Sequence, residues 1–516
     1  MRLREALQAA GVTRWQKAAR YYNLSHLEFA SSRLYQELMN LFRDPDQFQL
    51  IFDDLPQAEH QLLRAIAVTQ SLNYLYDHRH WRSYVNYTLS RKPEALVELQ
   101  NRGLIYLNQL HQYYIPSEIL AIIIKIMKER TRETLNTSEV QSYMYSGGEI
   151  VIGDIIRFLD ALRKRKVRIT LANKFYKTDY EKFCQQYGLE QDRFQLNCGT
   201  RLDFVYKYTV GSELAFASKG ILNITNKGEG FSQTPPQEIW NSILQYWILK
   251  YPLDAASRVA ATVLLAVVIQ LLWPNSTLSA VDLRRLYQAN GGLIPVHTET
   301  DDWLEKTVNE LMYLGVLSCG LHCQEVCLGE KALYLISGEH NQFWMQESSF
   351  VTQPNLEILL SSHANPAIHW RLASLCEDEG GNEMYRYRIT RHSIYSALLR
   401  GWKVDEIIDF IKENSRLGVP ENVFQVLSDW GSKFGQLYFM ETCLLCCKNS
   451  DVVQEILRIP DFAQYVEGLI NKSTLVVRRD NYLPLLNELE KKGYMPFRQL
   501  FNSSNAPFTS MLKEEQ

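Results

Sequence analysis

The sequence predicts a mainly α protein with small β elements. The expected α+β arrangement is tandem winged-helix-like units followed by a further α+β domain. Three observations lead there. Apolar residues recur at helical spacing along most of the 516 residues. Short apolar or alternating runs, such as Leu104–Leu107 and Tyr385–Ile389, read as strands between them. Twice a helix closes on Leu-x3-Gly and runs into a strand, at Leu99–Gly103 and at Leu311–Gly315.

Composition narrows the class. Hydrophobic residues make up 46% and charged residues 22%, the balance of a globular chain. At about 150 residues per domain, the length suggests three or four domains. A formal charge of −3 excludes a generic polyanion binder, so nucleic-acid contact must come from local patches. The opening MRLREALQAAGVTRWQKAARYYNL carries charges throughout, so no secretory signal is expected. Val259 to Trp273 is shorter than the about 17–25 residues of a spanning helix and reads as a buried core helix, so no membrane is expected. Nine cysteines, an odd number, fit a reducing cytoplasm.

Residues 1–52 read as a helical segment, with Leu34, Leu38, Leu41 and Phe42 on one face and Asp44-Pro45 as its stop. Residues 53–135 read as a winged-helix-like domain. Its helices are Gln57–Gln70, Tyr84–Leu89 and Pro93–Arg102; then come Gly103 and strands Leu104–Leu107 and Tyr113–Pro116, and the long helix Ile119–Leu135 follows. Residues 136–233 read as a small helical and strand unit. Gln141–Glu149 is loop-like. Val151–Leu162 is an amphipathic helix with Ile155, Phe158, Leu159 and Leu162 on one face. A strand Val167–Leu171 and a helix Phe175–Tyr187 follow, and Asn197–Glu229 has strand-and-loop composition.

Thr234-Pro235-Pro236 reads as a linker and a domain boundary. Residues 237–338 read as a second winged-helix-like domain, with helices Gln237–Tyr251, Leu278–Tyr287 and Trp303–Leu314. Val326–Leu328 and Ala332–Ile336 are expected to pair as its wing. Ser337–Asn341 links it to a domain spanning 345–500, and 501–516 reads as a frayed polar tail.

The 345–500 domain parses most closely. Phe350, Thr352 and Asn355–Leu360 form a strand running into an apolar segment, and Tyr385–Ile389 alternates like a half-exposed strand. Thr390 is a helix N-cap. Ile394, Ala397 and Leu398 recur at helical spacing, and Gly401 ends that helix in the left-handed region. Val404, Ile407, Ile408 and Ile411 make a second helix, with Asp405 and Glu406 in its positive first turn. Gly418 breaks the chain, Pro420 opens a third helix that closes on Trp430, and Gln436–Met440 reads as a strand.

This pattern of strand, Tyr-Arg-Ile-Thr with Ser393, Gly401, Glu-Ile-Ile, Ser415, Val419-Pro420 and Trp430 resembles the N-terminal domain of XPB-type helicases. The same domain occurs in bacterial helicase-associated proteins that lack a motor. The resemblance runs over about Phe350–Phe497, through Pro460 and Thr474–Val477 to Gly493-Tyr494-Met495-Pro496. It implies attachment to an XPB-like DNA helicase through a docking module close to DNA. The family's domain has no catalytic residues, and none are carried over.

Two basic stretches are the candidate DNA or partner contacts. Arg157, Arg163, Lys164, Arg165, Lys166, Arg168, Lys174 and Lys177 fall in one span with Asp160 as its only acid. Such a run neutralises phosphates or simply solvates a helix end, where cations complement the macrodipole. Arg386, Arg388, Arg391, His392, Arg400 and Lys403 form the second. Cys319, Cys323 and Cys327, with His322, and the trio Cys443, Cys446 and Cys447 read as zinc ligands or as packed thiols. Packing is the default, because neither set has a second ligand pair.

Enzyme signatures are missing. There is no Gly-Lys dipeptide, hence no GxxxxGK[ST] phosphate loop, and no HExxH or GxSxG. Asp461 with Glu490-Lys491-Lys492 resembles a metal-nuclease string, but Tyr482–Lys492 reads as a helix, where that chemistry wants a strand. The expectation is a non-enzymatic accessory protein without cofactor or metal. It docks an XPB-like helicase and touches duplex DNA through its winged-helix units. The alternative is a stand-alone winged-helix regulator. Oligomeric state is not legible.

Overall fold

Asp154, Arg157 and Asp160 sit on one helix, Gly148–Lys164, together with Ile150, Val151, Ile155, Ile156, Phe158 and Leu159. The expected single apolar face is a correction. Every residue from Ile150 to Leu162 is buried, the three charges included. A helix buried all round is a core helix, and its charges must find partners inside the protein. Helices Arg201–Gly211, Thr300–Tyr313 and Pro366–Leu375 pack around it.

The computed structural model describes residues 2–27, 31–88, 94–135, 138–139, 145–188, 194–251, 254–273, 276–294, 300–319, 325–337, 348–381, 384–438 and 441–501. The fold is mainly α, with small antiparallel sheets of two to five strands. The chain divides into two units, Met1–Gly431 and Ser432–Gln516.

Within the first unit, Leu34, Leu38 and Phe42 are buried on helix Ser31–Arg43 as expected. Helices Gln57–Ser71, His78–Thr88, Glu94–Asn101 and Ser117–Thr134 follow, with Tyr106–Leu107 and Tyr113–Tyr114 as a two-stranded hairpin. Helix Ala255–Leu271 is buried along almost its whole length. Among the described residues no helix is long and apolar enough to cross a membrane.

Several expectations change. The stretch Asn197–Glu229 contains a full helix, Arg201–Gly211, opened by a capping box. Thr200 Oγ1 accepts from Asp203 N at 3.3 Å, and Asp203 Oδ2 accepts from Thr200 N at 2.8 Å. Ala332–Ile336 is not a wing strand but part of helix Glu330–Ser337. Glu325–Leu328 pairs instead with Leu317–Cys319 and Ser276–Ser279, in a five-stranded sheet. Pro236 is the first residue of helix Pro236–Leu249, its missing N–H harmless there. In the loop-like stretch Gln141–Glu149 the central helix already starts at Gly148, while 141–144 lie outside the described residues. The strand at Val167 ends at Arg168.

Residues 350–431 follow the sequence closely. Val351–Thr352, Glu357–Ser361, Met384–Arg388 and Glu377–Gly380 form one antiparallel sheet in that spatial order. Helices Arg391–Leu399, Val404–Asn414 and Glu421–Ser432 come next. Thr390 Oγ1 accepts from Ser393 N at 3.0 Å, and Gly401 has φ 96°.

The second unit has its own core, of Val453, Ile456, Phe462, Leu475, Val477, Leu485 and Leu489. Gln436–Tyr438 carry no strand, and Phe439 and Met440 lie outside the described residues. The strand is Cys443–Cys446, which pairs with Thr474–Val477. The tail 502–516 also lies outside them.

Candidate functional site

The central helix ends against the four-stranded sheet, and a cleft of about 530 Å³ opens there. Asp160, Ala161, Lys164 and Arg165 line it from the helix end. Lys182, Gln185 and Gln186 come from helix Lys177–Tyr187, and Glu377, Asp378 and Glu379 from the strand at the sheet edge. His392, Ser393 and Ser396 come from helix Arg391–Leu399, with Arg400 just beyond it. The two basic stretches of the sequence therefore meet at one place.

The floor is a buried ion-pair network. Arg157 donates from Nε to Asp378 Oδ2 at 2.6 Å and from Nη2 to Asp378 Oδ1 at 3.1 Å. Its remaining donors reach Gly381 O at 3.1 Å and Gln186 O. Gln186 Nε2 donates to Asp378 at 2.7 Å. On the other side, Asp154 Oδ2 accepts from Arg201 at 3.0 Å and from Tyr313 OH at 2.8 Å. Burial pushes the Asp378 carboxyl up, but the Arg157 charge outweighs it and holds the group below the usual carboxylate range.

Close approach fixes this geometry. A Cβ on Gly153 would lie 2.0 Å from Tyr385 Oη, so the central helix seats on the sheet only because no side chain intervenes. The helix Arg391–Leu399 is tied in through its cap, since Thr390 OH donates to Glu377 Oε1 at 2.7 Å.

The candidate contacts sort into two groups. Arg163 pairs with Asp160 and, at 3.8 Å, with Glu229. Lys164 pairs with Asp160 at 2.8 Å and donates to Cys376 O at 2.7 Å. Arg168 pairs with Asp179 at 3.1 Å, and Arg388 with Glu379. These four are committed inside the protein. Lys177 pairs loosely with Glu181, at 3.8 Å. Lys166, Arg386, Arg391 and Lys403 are exposed with no acidic partner among the described residues. Arg400 donates to Ser374 O at 2.6 Å and has no acidic partner among them.

Arg165 stands apart. Its guanidinium lies over the Phe183 ring, 4.6 Å from the centroid. Its Nε and Nη2 are buried and have no hydrogen-bond partner among the described residues. Burial pulls the pKa of Arg165 down, and burial with the nearby Arg163 does the same to Arg400. Arg165 is thus a cation held where charge is costly, whereas Arg400 stays exposed.

Sequence reasoning did not find Lys182, Gln185, Gln186 or the acids 377–379. Their sole local signal is the Glu-Asp-Glu string, which reads equally as a solvated turn.

The thiol clusters form no metal centre among the described residues. Cys319 and Cys327 are buried on neighbouring strands, and burial pushes Cys327 up to about 11, while His322 and Cys323 lie outside the described residues. Cys447 is likewise buried and pushed up to about 11. Lys492 Nζ does approach Asp461, at 3.4 Å. Glu490, however, is held by both prongs of Arg498 at 2.8 Å, and the segment is a helix up to Lys491.

Residues 350–469 match the family model described as helicase conserved C-terminal domain. This stretch of the chain is therefore helicase-associated. The helicase C-terminal domain match takes in the whole four-stranded sheet, the cleft acids 377–379 and helix Arg391–Leu399. It also takes in the first strand of the second unit, Cys443–Cys446.

Proposed function

We propose that the chain is a non-enzymatic accessory protein that docks an XPB-like DNA helicase, in the cytoplasm, in a repair- or transcription-linked task. The helicase C-terminal domain match over 350–469 carries this reading. The missing Gly-Lys phosphate loop supports it, since the sequence supplies no motor of its own. Contact with duplex DNA is a secondary part of the reading. It rests on the exposed cations Lys166, Arg386, Arg391 and Lys403, with the winged-helix-like element order at 57–116 as a second surface.

The test is recovery of the tagged full chain from its own cells with nuclease present, followed by mass spectrometry. A co-purifying XPB-like helicase whose ATPase rate rises on adding the chain is the expected result. DNA retained at moderate salt without nuclease, with no helicase recovered, overturns docking. It leaves a stand-alone DNA-binding regulator with a steep salt dependence.

A further inference from the structure

We propose that the cleft at the end of the central helix binds a terminal phosphoryl group, the phosphate monoester of a nucleic-acid end or of a free nucleotide. The inference goes beyond helicase docking and does not depend on it.

Three cations reach the cleft without an acid of their own among the described residues: Arg165, Lys182 and Arg400. Arg165 carries the argument furthest. Two of its nitrogens are buried and unpartnered, although buried guanidinium donors are ordinarily satisfied. That edge is sealed from water as it stands, so an oxyanion in the cleft that Arg165 lines engages it in two-pronged fashion only once the side chain turns toward it. Three of the four acids that line the same cleft are paired with cations. Asp160 is paired with Lys164 and Arg163, Asp378 with Arg157, and Glu379 with Arg388, while Glu377 accepts from Thr390. The cleft's uncommitted cations are Arg165, Lys182 and Arg400, and the Ser396 hydroxyl, the Gln185 amide and His392 share its lining.

Size and lining select the ligand class. A volume of about 530 Å³ lies within the usual ~300–1,000 Å³ of small-ligand sites. It admits a chain end or a nucleotide and excludes the flank of a duplex. Among the described residues the lining holds no Phe, Tyr or Trp, and its one aromatic ring is the His392 imidazole, so the stacking surface for a base is small. The recognised part is then the phosphoryl group. A monoester carries a charge of about −1.5 to −2 at neutral pH, which matches several converging cations better than a diester does.

The test is isothermal titration of the full chain at moderate salt with three probes. They are a short single strand with a 5′-phosphate, the same strand with a 5′-hydroxyl, and inorganic pyrophosphate. The expected result is at least about tenfold tighter binding of the 5′-phosphate strand than of its 5′-hydroxyl twin, a difference lost in Arg165→Gln/Lys182→Gln. Pyrophosphate binding that the same pair of changes abolishes, without preference between the strands, supports the site and assigns it to free phosphoryl ligands. Lys182→Gln alone changes one exposed side chain and should cut the same affinity about threefold, which keeps the test sound if the double variant unfolds. No binding of any probe, or phosphate-dependent binding left unchanged in a folded double variant, overturns the proposal. Because Lys182 lies outside both candidate contact stretches, Lys182→Gln is expected still to recover the helicase, so failure of this site and failure of docking are told apart.

Discussion

Arg157 and Asp378, 221 positions apart, meet in a two-pronged ion pair at 2.6 and 3.1 Å. Their side chains are 0% and 9% exposed, so neither charge has water to fall back on. Removing one partner of such a pair costs about 3–5 kcal/mol, mostly by stranding the other. Arg157→Leu should therefore lower the urea-unfolding free energy of the first unit by that amount. A loss below about 1 kcal/mol would show that the pair does not hold the helix to the sheet.

Gly153→Ala tests the same contact by volume. The added methyl group would sit 2.0 Å from Tyr385 Oη and 2.6 Å from its Cζ. Overpacking of this kind costs about 1–3 kcal/mol. Tyr385→Phe removes the nearer atom, so the double variant should recover part of the loss. Strictly additive losses in thermal melts would refute the contact.

Stability should fall as pH drops below about 7, through one buried and one half-buried histidine. Burial, with help from Arg157, pulls His369 down to about 3, and its Nε2 lies 2.7 Å from Tyr387 OH. Burial and the charges of Arg64 and Arg130 pull His60 down to about 4. In the unfolded chain both titrate near pH ~6.5. Between that value and about 4 the unfolded chain binds protons that the folded chain refuses. The stabilisation is full above pH ~6.5 and drains away as pH falls. Urea midpoints should drop from pH 7.5 to 5.0, and His60→Gln should make the drop shallower. An unchanged midpoint over that range would mean that both rings protonate freely in the folded state.

The second unit should be dispensable for the first. Its core closes around Phe462, which is fully buried, and shares no residue with the core of 1–431. Phe462→Ala should cost the second unit about 3–5 kcal/mol and leave the first untouched. Limited proteolysis of that variant should leave a resistant fragment ending near Gly431. Degradation of the whole chain at one rate would contradict the division.

Where local chemistry decides, the sequence is a good guide. The Thr390–Ser393 cap, the turn at Gly401 and the strand at Tyr385 were readable because each depends on neighbours three or four residues away. Ala332–Ile336 misled because a five-residue apolar run suits a strand or a helix equally. Helix Arg201–Gly211 was hidden by glycine and asparagine around it, although its Thr200–Asp203 box was present to be seen. The central helix looked one-sided because the partners of its charges lie elsewhere in the chain: Asp154 finds Arg201, and Arg157 finds Asp378. The cleft was illegible for the same reason. Its two basic walls are more than 200 residues apart, and no periodicity announces that they will meet.

The Arg157–Asp378 lock also bears on how such a chain is inherited. One half lies inside the helicase C-terminal domain match and the other half outside it. The match further crosses Gly431, where one folding unit gives way to the next. A recombination event that moved 350–469 alone would deliver a sheet with a stranded carboxylate and only part of a second core. The matched segment is thus not a self-contained folding unit of this chain. In this chain the matched sheet takes the cation that neutralises Asp378 from a helix outside the match, so the match and the folding unit have different borders.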